Sequence, residues 1–224
     1  MSHCSMSLRA RDAGAYASPV SGLRELASGL WRWTALHPEF VPGAKPESPA
    51  DWPEEVGSVL YNGEDATVLI DPLLPAGDDG FLGELDARVR GRGLPASIVT
   101  TIKFHRRSRD ELARRYSAST SRAKAELPAG VESVPISGAG ETMFWIPAAG
   151  ALVTGDRIMG SAGGRLRVCP ESWLRYLSSG ITLADLAMRL RPLLDLPIES
   201  ILVSHGEPVL TDGRAALADA LDLG

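Results

Sequence analysis

Short apolar runs separated by turn-forming residues dominate the hydrophobic pattern of this chain. Two of these runs, residues 56–61 and 67–70, flank a turn that begins with Asn62-Gly63. Asn-Gly between apolar runs is a strong signal for a β-hairpin, because both residues tolerate the left-handed backbone that a tight turn needs. We therefore predict a hairpin whose second strand ends at Asp71, where a carboxylate leaves the sheet.

Four other segments carry helical signals. Apolar residues at helical spacing predict an amphipathic helix over residues 79–92. Ser108 and Glu111 have the spacing of a capping box, in which the serine oxygen accepts a hydrogen bond from the N–H of Glu111 at the helix start. We expect a third helix to begin at Thr182 and a fourth to span residues 212–223.

Further apolar runs predict short buried strands. They span residues 98–102, 131–136, 143–146, 151–154 and 201–203. Strands and helices thus occur in mixed order, which differs from the regular alternation of a doubly wound sheet. We predict an α/β protein with two sheets packed face to face and helices on both outer faces.

Length and composition fit one globular domain. The chain has 224 residues, of which 44% are hydrophobic, and the sequence shows no internal repeat or linker that would divide it. Residues 1–22 are rich in Ser, Ala and Gly and lack the apolar core of a secretory signal. We therefore expect a disordered leader over residues 1–22 and a single domain over residues 23–224.

Charge and cysteine content argue against several classes of function. The net charge of −5 and the pI near 5.4 are not those of a nucleic-acid-binding protein. The sequence has no apolar run of about 18 residues, so we expect neither a transmembrane helix nor a membrane partner. Cys4 and Cys169 are too few for a disulfide framework, which favours a reducing cytoplasm.

Polar side chains follow three of the predicted strands. His105 comes just after the run at residues 98–102, Asp156 after the run at 151–154 and His205 after the run at 201–203. Polar side chains that converge at strand ends from distant segments are how α/β proteins usually build a site. An isolated histidine is more commonly a satisfied structural group, but two histidines and one carboxylate are a ligand set for a divalent metal. We predict that these side chains, together with Asp71, meet at one edge of the sheets.

A basic cluster lies beside His105, and it has two interpretations. One is a solvated face compensated by the acidic side chains of the following helix, and the other is an anion site in which helix N–H groups and cations bind a carboxylate or phosphate. Both alternatives remain open. The cluster consists of Lys103, Arg106, Arg107 and Arg109.

A tryptophan-rich segment precedes the hairpin and contains His37. This histidine either covers the site or packs among Trp31 and Trp33. Because large apolar groups surround it in sequence, we favour packing.

The motifs resemble those of the metallo-β-lactamase superfamily in order and rough spacing. In that superfamily a strand leads into His-x-His-x-Asp-His, a Gly-Asp follows later, and a Ser-His-Gly-like strand end lies near the C-terminus. The resemblance runs from residue 56 to the C-terminus and implies an αββα four-layer sandwich. Thr154-Gly155-Asp156 and Ser204-His205-Gly206 match in position and in the strands that precede them.

The first motif departs from the family pattern. If His105 takes the second histidine position, Lys103 falls at the first histidine, Arg107 at the aspartate and Ser108 at the last histidine. The family's middle histidine is also missing, because residues 106–204 contain no histidine. The resemblance implies that His105 belongs to one zinc site, His205 to a second, and that Asp156 bridges both; neither set is complete.

Lys103 and Arg107 therefore put positive charge where the family binds its metals. Two cations at close range repel by several kcal/mol at an effective dielectric of about 20, which argues against a two-zinc hydrolase. Our first hypothesis is a protein without a metal cofactor, in which Lys103 hydrogen-bonds Asp156 and an anionic small molecule binds at Lys103 and Arg107. The alternative is a hydrolase with one divalent metal, zinc being favoured, held by His105, Asp156 and His205. There the metal activates a water molecule, and Lys103 or Arg107 stabilises the oxyanion.

Overall fold

The computed structural model of the protein describes residues 22–121 and 127–222. The predicted leader, residues 1–22, lies outside the described residues except for Gly22. Within the described part of the chain, no helix has the length and apolar character needed to cross a membrane.

Six strands from the first half of the chain form one sheet. They lie side by side in chain order, antiparallel from β1 to β4 and parallel from β4 to β6. The predicted hairpin is confirmed as β3 and β4, in which Asn62 pairs with Thr67. The strands are β1 (Arg24–Ala27), β2 (Leu30–Leu36), β3 (Glu55–Asn62), β4 (Thr67–Ile70), β5 (Ala96–Val99) and β6 (Ser119–Ser121).

The second half of the chain supplies a four-stranded sheet and a separate two-stranded ribbon. The remaining strands are β7 (Glu132–Ile136), β8 (Glu141–Ile146), β9 (Ala151–Val153), β10 (Ile158–Ser161), β11 (Arg165–Val168) and β12 (Ser200–Leu202). The four-stranded sheet has the order β12-β9-β8-β7, and β12 runs parallel to β9. Among the described residues, β10 and β11 pair only with each other. The hydrophobic pattern of the sequence did not predict β1, β2, β6 or the β10–β11 ribbon.

In the part of the chain that the structure describes, five α-helices accompany the sheets. They are α1 (Asp79–Arg90), α2 (Arg109–Tyr116), α3 (Glu171–Leu174), α4 (Leu183–Leu190) and α5 (Gly213–Asp222), with 3₁₀ turns at Pro147–Ala149 and Arg191–Asp195. The helix predicted from Thr182 is confirmed, because Thr182 and Asp185 form a complete capping box.

Alternating side chains of the strands separate the molecule into layers. In β4, Val68 and Ile70 pack between the two sheets against residues such as Phe144, whereas Leu69 faces the opposite way. Leu69 belongs to a cluster with Leu85 of α1 and other residues of α1 and α2. A further cluster joins the four-stranded sheet to α4 and α5. The layers are therefore helix, sheet, sheet and helix, and the predicted αββα sandwich is confirmed.

The capping box predicted at Ser108 is wrong, although α2 does begin directly after this residue. Ser108 occupies the N-cap position without a side-chain capping bond. Its Oγ instead accepts a hydrogen bond of 2.9 Å from the N–H of Leu74. A tertiary contact thus takes the oxygen that the local Ser-x-x-Glu spacing assigns to the helix.

Candidate functional site

The functional side chains lie where four strands end. Asp71 directly follows β4, and His105 lies on the turn after β5; these two strands are parallel neighbours. Asp156 and His205 follow β9 and β12, which are also parallel neighbours. Since the carboxyl ends of parallel neighbours lie at the same sheet edge, the four side chains meet where the edges of the two sheets face each other.

His105 lies between two carboxylates. Its Nδ1 is 2.8 Å from Oδ2 of Asp71, and its Nε2 is 2.9 Å from Oδ1 of Asp156. Burial and the nearby Arg107 lower the pKa of His105, but the two carboxylates outweigh them and raise it to about 9. Asp71 itself is fixed by the backbone N–H and the hydroxyl of Thr101. Metal-binding histidines are commonly oriented in this way by a carboxylate on the second ring nitrogen.

His205 completes a cluster with His105 and Asp156, which we call the His–Asp–His cluster. Nε2 of His205 lies 3.2 Å from the same Oδ1 of Asp156, and the three ligand atoms are all within 4.8 Å of one another. All three residues are buried, yet Oδ1 has no partner with hydrogen-bond geometry. Two ring nitrogens and an unsatisfied carboxylate oxygen that converge on one point are a suitable donor set for one divalent metal.

The electrostatics of the cluster favour an ionised aspartate. Burial raises the pKa of Asp156, but His105 and His205 overcome this effect and hold that pKa well below its usual value. The pKa of His205 is lowered, mainly because the buried ring loses its hydration. At neutral pH the cluster therefore contains a carboxylate, a neutral His205 and, without a metal, a protonated His105.

Glu141, at the start of β8, fixes the loop that carries Asp156. Its carboxylate accepts three hydrogen bonds from the consecutive N–H groups of Gly155, Asp156 and Arg157, at 2.8, 2.8 and 2.9 Å. Gly155 must lack a side chain, because a Cβ there would lie 2.5 Å from Oγ1 of Thr101. The sequence analysis did not identify Glu141, since a single carboxylate at a strand start carries no distinctive pattern.

The loop that carries His205 is clamped to the β10–β11 ribbon. The N–H of Gly160 donates a 2.8 Å hydrogen bond to the carbonyl of His205. A Cβ on Gly160 would lie 1.9 Å from the carbonyl oxygen of Glu207, and one on Gly206 would lie 2.2 Å from the carbonyl oxygen of Gly160. Two glycines thus allow the backbone contact that positions His205.

Arg107 approaches the cluster from the turn after β5. Its Nη1 donates to the carbonyls of Gly57 and Asp71, both at 3.0 Å, and its Nη2 donates to Oγ of Ser204 at 2.8 Å. Burial lowers the pKa of this arginine. Its backbone has φ of 38°, a left-handed conformation that is unusual for a long side chain.

The rest of the basic cluster does not join Arg107. Arg106 and Arg109 both pair with Asp110 at the surface, as expected for a solvated face. Lys103 is exposed, and its Nζ lies 4.7 Å from the ring centre of Phe104. The predicted hydrogen bond from Lys103 to Asp156 is wrong: among the described residues the cation beside Asp156 is His105. Lys103 lines a neighbouring cleft of about 360 Å³, and its role in binding a substrate stays a prediction.

His37 lies at the site, so its predicted packing among Trp31 and Trp33 is wrong. The ring of His37 stacks on Trp52 and lies 5.9 Å from the ring of His205. The two tryptophans of β2 instead pack against helices of the outer layer. The reason is that the chain leaves β2 at Leu36 and then crosses over the site, which the local sequence does not indicate.

A cavity of about 400 Å³ opens above the His–Asp–His cluster. The cluster and Arg107 lie at this cavity, and five further rings surround it. Those rings belong to His37, Trp52, Phe104, Trp173 and Tyr176. Of these five, only His37 was considered from the sequence as a residue that could cover the site; Phe104 has a weak signal in its position beside His105.

Comparisons with known proteins identify the fold. No protein-family model and no curated protein matches the sequence. Solved metallo-β-lactamases match the fold: the DIM-1 enzyme has a TM-score of 0.59 at 13% identity, with 91% of this chain and 97% of that chain covered. The NDM_FIM-1 like enzyme from Erythrobacter litoralis in its mono-zinc form has a TM-score of 0.57 at 18% identity, and the match covers 91% of this chain and 95% of that chain. FIM-1 from Pseudomonas aeruginosa, also in a mono-zinc form, has a TM-score of 0.55 at 13% identity, and the match covers 92% of this chain and 94% of that chain. The protein therefore has the metallo-β-lactamase fold.

Proposed function

We propose that this protein binds an anionic small molecule in the cavity above the His–Asp–His cluster and does not use two-metal catalysis. The observation that carries this proposal is the environment of Arg107. In the part of the chain that the structure describes, its guanidinium pairs with no carboxylate and bonds only to two carbonyls and a hydroxyl. A desolvated cation with neutral partners favours an anion that enters the cavity.

The carboxylates of the site bond to other groups and form no ion pair with Arg107, although Asp71 and Asp156 lie close enough to favour its charge. Asp71 bonds to His105 and Thr101, and Asp156 lies against His105. Glu141 is held by backbone N–H groups. The Nε–H of Arg107 and one N–H of its Nη2 have no partner among the described residues, so a ligand can take them.

The same arginine supports the absence of a second metal. Arg107 stands where the metallo-β-lactamase motif has a metal-binding aspartate, so a permanent positive charge replaces a metal ligand. A divalent ion a few ångströms from a guanidinium is repelled by several kcal/mol at an effective dielectric of about 20. His105 is protonated at neutral pH, so its positive charge adds to this repulsion until the ring loses its proton.

A second candidate function is a hydrolase with one metal, and the convergence of two histidine ring nitrogens on Oδ1 of Asp156 favours it. His105, Asp156 and His205 would hold the metal, and Asp71 would fix the orientation of His105. When bound, such a metal supplies a Lewis acid and lowers the pKa of a water molecule. In this candidate the free N–H groups of Arg107 stabilise negative charge that develops on the substrate.

Metal analysis and calorimetry test the proposal. Protein purified without chelator and then dialysed is expected to retain less than one equivalent of zinc. Titration with acetate and with inorganic phosphate is expected to show binding, which Arg107→Gln abolishes. Arg106→Gln is the matched control, because Arg106 is exposed and pairs with Asp110. It should bind both anions normally.

The outcomes separate the two candidates. Two retained equivalents of zinc, or anion binding that survives in a folded Arg107→Gln variant, would overturn the proposal. One tightly held equivalent of zinc with no anion binding would favour the one-metal hydrolase. If Arg107→Gln does not fold, Arg107→Lys keeps the charge but loses the planar fork, and it should bind both anions more weakly.

A further inference from the structure

The walls of the cavity are aromatic to an unusual degree. The rings of His37 and Trp52 are almost parallel, with an angle of 5° between them and their centres 5.7 Å apart. The ring centre of Trp52 lies in turn 4.9 Å from that of Trp173. Phe104 and Tyr176 form a second, edge-to-face pair at 6.1 Å. These rings all border the same 400 Å³ space. A flat ligand can therefore contact ring faces and ring edges at once.

Two of these rings expose more surface than packing requires. Phe104 is 54% exposed and Tyr176 is 44% exposed, and both belong to the few large hydrophobic residues of the described chain with such exposure. Exposed apolar groups that gather beside a cavity commonly mark a binding site. Because the two rings touch each other, their exposed surface forms a continuous apolar rim.

Around the cavity, the acceptors without a hydrogen-bond partner among the described residues, Oδ1 of Asp156 and Nδ1 of His205, belong to the His–Asp–His cluster, and the other unpaired polar groups are hydrogen-bond donors. Arg107 has N–H groups without a partner in the described structure. Nε1 of Trp173 is buried and also has no partner, on a residue with 1% exposure. Nδ1 of His37 accepts a 3.0 Å hydrogen bond from the N–H of Glu39, so the proton of the neutral ring is on Nε2. A head group that only accepts hydrogen bonds suits this set, and a carboxylate is such a group.

The charges limit the ligand to a single negative charge. Arg107 forms no ion pair with a carboxylate among the described residues, although Asp71 and Asp156 lie nearby, whereas Arg157 lies close to Glu141. Glu39 and Asp156 also border the cavity and repel additional negative charge. A nucleotide or a polyphosphate is therefore disfavoured.

We infer, on the basis of the proposed function, that the ligand is an aromatic monocarboxylate. Its carboxylate binds the free N–H groups of Arg107, and its flat body lies among the aromatic side chains. A cavity of about 400 Å³ lies at the lower end of the range for small-molecule sites, so it suits a body of one or two rings.

Calorimetric titration of the full-length protein with four matched probes tests this inference. The probes are 2-naphthoate, cyclohexanecarboxylate, acetate and the uncharged 2-naphthamide. We expect 2-naphthoate to bind about ten-fold or more tightly than each of the other three, since it alone combines a negative charge with a flat aromatic body. Phe104→Leu is expected to weaken 2-naphthoate binding by about two- to ten-fold and to leave acetate binding unchanged.

Met188→Leu serves as the control, because Met188 is 62% exposed on α4 and does not border the cavity. It should bind all four probes as the unaltered protein does. If all three carboxylates bind equally well, the preference for an aromatic body is refuted while anion binding stands. If 2-naphthamide binds as tightly as 2-naphthoate, the carboxylate assignment is refuted. If no anion binds, both this inference and the proposed function fail.

Discussion

Raising the pH from 6.5 to 9 should destabilise the metal-free protein mainly through His105. Asp71 and Asp156 keep the His105 ring protonated and raise its pKa from 6.5 to about 9, despite its burial. A histidine whose pKa is raised by folding stabilises the native state fully below the unfolded pKa. This stabilisation is lost as the pH rises through the folded pKa. The free energy of unfolding should therefore fall between about pH 6.5 and pH 9.

The size of the effect follows from the shift. A change from 6.5 to about 9 is about 2.5 pH units, and each unit corresponds to about 1.36 kcal/mol, so the upper limit is about 3.4 kcal/mol. The other two histidines of the described residues titrate below this window in the folded protein. Burial lowers the pKa of His37 to about 4, and the pKa of His205 is lowered as well. Burial raises the pKa of the Cys169 thiol from 9 to about 11, so this thiol affects stability only above about pH 9.

Urea unfolding in the presence of a chelator, at half-unit steps of pH, measures this loss. His105→Asn is the matched variant, because it keeps a donor near Asp71 but does not titrate; its stability should be nearly constant from pH 6.5 to 9. The ring pKa can be read independently from the imidazole resonances in NMR spectra. Equal pH dependence in the two proteins, or an imidazole pKa near 6.5 for His105, would refute the electrostatic account of the site.

Two other predictions concern the backbone clamp and the metal. Gly160→Ala should lower the free energy of unfolding by about 1–3 kcal/mol, because its Cβ would lie 1.9 Å from the carbonyl oxygen of Glu207. The control Gly83→Ala should raise the free energy of unfolding by about 0.5–1 kcal/mol, since Gly83 lies within α1 and its Cβ would meet nothing within 4 Å. Urea unfolding measures both variants, and equal effects would contradict the role of Gly160 in the backbone contact. Lys103→His should leave the zinc content of the dialysed protein unchanged, because Arg107 still excludes a second metal; a gain of one equivalent in elemental analysis would disprove this.

Local sequence signals predicted those features that neighbouring residues determine. The hairpin predicted at Asn62-Gly63 and the helix predicted from Thr182 are confirmed, because each depends on contacts within a few residues. The same kind of signal failed at Ser108, where Leu74, 34 residues away in sequence, supplies the donor. Capping patterns hold only when no tertiary partner competes for the side chain.

The strand-end residues of the site were also predictable, because topology alone brings them together. His105, Asp156 and His205 follow strands that end at one edge, and the structure unites them around a single carboxylate oxygen. The side chains that surround them were not predictable. Trp52 and Trp173 come from loop and helix segments whose approach to the site depends on the whole fold.

Arg107 shows why sequence could locate this site but not define its chemistry. In sequence it was one of four neighbouring cations, and a solvated face explained all of them equally well. The structure separates Arg107 from the others, because its φ of 38° turns the side chain inward while Arg106 remains at the surface. A left-handed backbone at a long side chain costs about 1–3 kcal/mol, and the burial of a cation among neutral partners adds to this cost. Hydrogen bonds to Gly57, Asp71 and Ser204 offset part of it and leave the remaining N–H groups for a ligand. A side chain held at such a cost beside a cavity supports our proposal that this guanidinium recognises an anion.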